Sequence, residues 1–94
     1  MPALNFTVRW PDGSVDNCYS PSTVLHEHLQ EKQSYDLEEF VQQARLALNE
    51  ASERVQKKYG YYCSSAIDQL AQIEHKAQRF LSSPDRKVEI LEIR

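Results

Sequence analysis

Two cysteines and three histidines are the residues here that could act as nucleophiles, metal ligands or proton carriers near neutral pH. Either Cys18 or Cys63 would need a depressed pKa, from a neighbouring cation or a helix N-terminus, to attack a substrate. Cys63 precedes a helix start and is the better placed of the two. A Cys18–Cys63 bridge is open if the strand bearing Cys18 packs on that helix start, although a cytoplasmic setting favours the reduced pair. His26 and His28 flank Glu27, but ligands at i and i+2 of a helix diverge, and no third ligand falls at a recognised metal spacing. They read as surface or partly packed histidines. His75 shares a polar helix face with Asp68, Gln72 and Arg79. No metal, cofactor or catalytic residue is expected.

Binding is the other chemistry the residue types allow. Tyr19, Tyr35, Tyr59, Tyr61 and Tyr62 fall near the ends of elements, where a ring can be half buried while its hydroxyl stays wet. Tyr61 and Tyr62 beside Trp10 or Arg9 would make an aromatic patch for a partner protein. The candidate interaction surface is therefore Arg9, Trp10, Tyr19, Tyr61 and Tyr62. Arg45, Arg54, Lys57 and Lys58 form a basic stripe, but Glu50 with Arg54 and Glu53 with Lys57 are i,i+4 pairs, as on any solvated helix face. A chain with two glycines has no Gly-rich phosphate loop.

These side chains are positioned chiefly by the stretch from Asp36 to Leu81. Leu37, Val41, Ala44, Leu48, Ala51 and Val55 recur at steps of three and four, the stripe of an amphipathic helix. Asp36 and Glu39 offer a capping box, Tyr35 can staple onto Phe40, and Gly60 can end the helix in the left-handed conformation. A second helix carries Ile67, Leu70, Ile73 or Glu74, Ala77 and Phe80 or Leu81, with Ser64 or Ser65 as its cap. So short a link around Gly60 makes the two antiparallel.

Leu4, Phe6, Val8 and Trp10 alternate with polar residues, the period of a strand with one buried face. Pro11-Asp12-Gly13 reads as a three-residue hairpin turn, which sets Val8 opposite Asp16 and Phe6 opposite Cys18 and makes Cys18 a core thiol. Ser20 to Thr23 signals entry into a short helix with Val24, Leu25 and Leu29 facing inward. Glu31 to Ser34 reads as a polar connector. In the tail, Val88 and Ile90 lie on one face and Leu91 and Ile93 on the other, so that strand is either bulged or covered on both sides, and its double apolarity hints at a homodimer contact. The expected fold is α+β: one domain over residues 1–94, with a three-stranded, mainly antiparallel sheet on a long helical hairpin and one short helix.

The chain has 94 residues and a net charge of −3. One core is enough for that length. The acidic balance argues against a nucleic-acid binder, and the short apolar runs argue against a membrane span, which points to the cytoplasm.

The segments Phe6-Thr7-Val8-Arg9-Trp10-Pro11-Asp12-Gly13, Cys18-Tyr19-Ser20-Pro21-Ser22, Ala51-Ser52-Glu53-Arg54-Val55 with Tyr59-Gly60, and Cys63 with Ala66 to Leu70 together resemble a family of small bacterial nitrogen starvation response proteins. Its members are encoded in a cluster with an aliphatic nitrilase, a radical-SAM protein and an acetyltransferase, linked to nitrogen limitation and to use of cyanide or nitriles. The resemblance spans nearly the whole chain and implies a pathway, with no catalytic or ligand residue to carry over. The expectation is a non-catalytic accessory or interaction protein whose partner is another cluster product. Alternatives are a small-molecule binding or sensing module around Cys18 and Cys63, or a thiol-bearing minor subunit of an enzyme.

Overall fold

A computed structural model describes residues 3–60, 64–84 and 86–94. Four antiparallel strands, β1 (Leu4–Arg9), β2 (Val15–Ser20), β3 (Ser34–Asp36) and β4 (Lys87–Ile93), form one sheet in the order β2-β1-β4-β3. Helices α1 (Leu37–Tyr59) and α2 (Ser65–Ala77) cover one of its faces, and α2 runs on into a 3-10 turn, Gln78–Phe80. A short 3-10 helix, Thr23–Glu27, follows β2 and packs on α1.

The β1–β2 hairpin has the register expected from its turn, with Phe6 opposite Cys18 and Val8 opposite Asp16. Gly13 sits at φ +89°, the conformation the bulge-type turn requires. Asp12 closes the turn by accepting from the backbone N–H and the hydroxyl of Ser14 at 2.9 and 2.6 Å.

The sheet has four strands where three were expected. Ser34, Tyr35 and Asp36 pair with Glu89, Val88 and Lys87, so the end of the expected connector is itself a strand. Three residues are too few to display a period of two, and their polar side chains read as loop. They pair because β4 exposes its outer edge there. Lys32, at φ +63°, donates its N–H to the Ile90 carbonyl at 2.7 Å and starts the same ladder. Farther along that edge, Glu31 accepts from the Ile93 N–H at 2.9 Å, so the carboxylate protects a donor that β3 does not reach.

The tail strand is bulged. Thr7 pairs with Glu92 and Val8 with Ile90, which leaves Leu91 as the extra residue and turns Ile93 back to the face of Val88 and Ile90. Ile93 then packs on the core. The bulge thus brings Ile93 to the core face and leaves Leu91 partly exposed.

Helix α1 begins at Asp36, whose carboxylate accepts from the N–H of Glu38, two residues on rather than the three of a capping box. It ends at Gly60, φ +75°, with Lys57 and Lys58 in its last turn. The buried stripe of α2 is Ala66, Leu70, Ile73 and Ala77, continued by Phe80, so Ile73 and Phe80 face inward and Glu74 and Leu81 outward. Ser64 holds the cap position of α2 without a side-chain cap bond. Between the layers, Trp10 stacks on Phe80 at 5.8 Å and meets Phe40 edge-on at 5.6 Å.

Candidate functional site

Trp10 is not on the expected interaction surface. It is 2% exposed, because its position in the alternation of β1 puts it on the helix-covered face with Leu4, Phe6 and Val8. Arg9 and Tyr19 do lie on the uncovered face. They stand at opposite ends of the β1–β2 pair, since Arg9 is opposite Val15 and Tyr19 opposite Asn5, a separation along the strand of about 13 Å. Arg9 is tied to Glu89 at 3.0 Å. Tyr61, Tyr62 and Cys63 lie outside the described residues.

Cys18 is a free, buried thiol facing the helices. Burial and the nearby Asp16 carboxylate push its pKa up to about 12, only partly opposed by Lys76. A thiol so placed stays protonated and is a poor nucleophile.

Above Cys18, β2 and α2 part to leave a crevice of about 280 Å³, walled by Asp16 and Asn17 on one side and by Gln72, Lys76 and Arg79 on the other. At its base, Asp16 Oδ2 accepts both from the Trp10 indole N–H and from the Lys76 ammonium, each at 2.9 Å. Lys76 Nζ also stands 5.6 Å from the centroid of the Trp10 ring. Gln69 closes one end by accepting the Tyr19 N–H at 3.0 Å, which occupies a donor on the sheet's open edge. Sequence reasoning missed Asp16, Gln69 and Lys76. The hairpin register did put Asp16 on the face of Val8, and a carboxylate on a covered face implies a partner; nothing local pointed to Lys76, sixty residues away.

A second concavity of about 430 Å³ runs between α1 and α2 on the side away from the sheet. Leu37, Val41, Ala77 and Leu81 contribute its apolar surface, and Leu81 is 54% exposed. Its charges are already paired: Arg45 with Glu74 at 2.8 Å across the groove, and Arg86 with Glu38 at 3.7 Å at one end.

The histidines do not converge. His28 meets Glu50 of α1 at 3.0 Å, and Arg54 bridges Glu50 at 3.4 Å and Glu27 at 3.7 Å, which ties the short 3-10 helix to α1. An ionised carboxylate only accepts, so His28 Nε2 carries the proton in that contact. The hydrogen bond from His28 holds the Glu50 carboxyl below the usual carboxylate range, with help from Arg54. His26 and His75 are exposed. No group of three metal-ligating side chains occurs among the described residues.

Residues 5–93 match the family model described as nitrogen starvation-induced protein NitG. The chain belongs to the NitG family. The match covers every strand and helix described above apart from the first residue of β1, so the resemblance seen in the hairpin and helix segments extends through the tail. No curated protein and no solved structure matches the chain. Among the described residues, no helix is long and apolar enough to cross a membrane.

Proposed function

We propose that this member of the NitG family is a non-catalytic, cytoplasmic accessory protein of the nitrogen-starvation response, acting through contact with another protein of nitrile or cyanide nitrogen assimilation. The observation that carries this reading is the α1–α2 groove, with exposed Leu81 beside Val41 and flanking charges that are satisfied within the chain. Such a surface offers apolar area without calling for a charged ligand. The occupant it suits is an amphipathic helix of the partner, which would lie between two antiparallel helices as a third member of the layer, its apolar anchors in the groove. The groove replaces the sheet face as the contact surface, because Trp10 is unavailable there. The high pKa of Cys18 speaks against its serving as the thiol of an enzyme subunit.

The test is purification of the tagged chain from its native cells under nitrogen limitation, alongside Val41→Glu and Leu81→Glu variants of unchanged circular dichroism. The nitrilase or another product of its cluster should be recovered at fixed stoichiometry with the wild type and lost with both variants. Recovery of the chain alone, or of a partner indifferent to both substitutions, refutes the proposal.

A further inference from the structure

The crevice between β2 and α2 is separate from the groove. Gln69, Gln72 and Lys76 of α2 and Arg79 of the 3-10 turn that follows it line the crevice, whereas Glu74 and Ala77 of α2 with Gln78 and Leu81 line the groove, so the two concavities share no residue. A role for the crevice therefore does not depend on the protein contact proposed above.

Its arginine is unlike the other arginines of the chain. Arg9, Arg45, Arg54, Arg86 and Arg94 each lie within 4.0 Å of a carboxylate. Arg79 alone among the arginines has no carboxylate partner among the described residues, and it stands in the wall of a concavity. Lys76 and Asp16 neutralise each other at 2.9 Å. The crevice is thus left with Arg79 as its permanent unpaired charge, in a planar fork that matches a carboxylate, and with the imidazole of His75 in the same wall.

The remaining lining describes the rest of an occupant. Trp10, Cys18 and Ile73 supply apolar surface, and Gln69 and Gln72 supply amide groups, while the Asn17 side chain projects to the uncovered face with Thr7. Gln69 has its carbonyl engaged by Tyr19 and keeps its NH2 as a donor. A volume of about 280 Å³ lies just under the range for drug-sized ligands, which leaves room for a small metabolite. With Asp16 and Lys76 paired, one guanidinium leaves the second charge of a dianion without a partner.

We propose that this crevice binds a small monocarboxylate with a short apolar middle and an uncharged polar end, the carboxylate held by Arg79 and the polar end by the amides of Gln69 and Gln72.

The test is a nitrogen–proton correlation NMR titration of the full chain with glutaramate, a five-carbon monocarboxylate ending in an amide. Glutarate and the neutral glutaric diamide serve as charge controls. Glutaramate should shift the backbone amides of Asn17 and Cys18 and the side-chain amides of Gln69 and Gln72. Arg79→Gln should weaken that binding about tenfold. Arg45→Gln, in the separate groove, should leave it unchanged. The proposal is overturned if glutaramate shifts none of these resonances at millimolar concentration, if the diamide or glutarate binds as well as glutaramate, or if Arg79→Gln binds as the wild type does.

Discussion

The Trp10 indole donates to Asp16 Oδ2 at 2.9 Å across the β1–β2 hairpin, so a carboxylate on the helix-covered face of the sheet serves the largest side chain of the core. Lys76 meets the same oxygen from α2, which makes Asp16 the joint between the hairpin and the second helix. Asp16→Ala leaves the indole N–H and the ammonium unpaired and should cost about 1–3 kcal/mol. Asp16→Asn, which retains an acceptor, should cost less. The chain has one tryptophan, so urea unfolding followed by Trp10 fluorescence reads both directly. Equal losses in the two variants would assign the effect to the Lys76 ion pair.

Gly60 ends α1 at φ +75°, and among the described residues nothing lies within 4 Å of where its Cβ would stand. A side chain there meets the strain of the left-handed conformation. Gly60→Ala should destabilise by about 1 kcal/mol, and Gly60→Asn by less, since asparagine tolerates the left-handed region. Thermal melts of the two variants check the order.

The bulge at Leu91 makes neighbouring apolar residues unequal. Ile93 packs on the core whereas Leu91 is the extra residue of the strand. Ile93→Ala should cost about 1–2 kcal/mol, below the range for a fully buried isoleucine, and Leu91→Ala roughly 0.5 kcal/mol or less. The reverse order in chemical denaturation would refute the bulge.

Cys18 titrates at about 12 in the folded chain because burial disfavours its thiolate. Its pKa is raised above the unfolded value, near 9, so its contribution to stability is fully present below pH about 9 and is lost as pH rises towards about 12. Alkylation of Cys18 at neutral pH, followed by peptide mass spectrometry, should be slow in the native chain and accelerate on unfolding. Rapid native modification would contradict the buried placement.

Glu50 titrates below the usual carboxylate range because His28 donates to it. A depressed carboxyl stabilises the fold at pH above its unfolded value, and that contribution is lost as pH falls through the folded one. His28→Ala should move the Glu50 titration upward, towards the ordinary value, in carbon NMR of the side-chain carboxyl. An unmoved titration would show that Arg54 alone sets it.

Most of the architecture was legible in local pattern. The alternation from Leu4 to Trp10 and the Pro-Asp-Gly turn determined the hairpin and its register, because a period of two and a positive-φ glycine are requirements of the backbone itself. Asp36 and Gly60 marked the bounds of α1 for the same reason, and the α2 stripe was visible to within the choice between Ile73 and Glu74. The tail announced that it was bulged or doubly covered. Only pairing with β1 decided which, by placing Leu91 between the partners of Thr7 and Val8. The strand Ser34–Asp36 exists because β4 offers it an edge, and three polar residues carry no such signal by themselves. The candidate sites belong wholly to tertiary structure. Asp16 meets Lys76 and Tyr19 meets Gln69 across fifty residues or more, and the groove is lined by residues of α1 together with α2 and the turn that follows it. Side-chain type and period fix what each segment must bury. Which polar groups then face one another depends on how the buried faces are brought together, and that is settled only when the helices lie on the sheet.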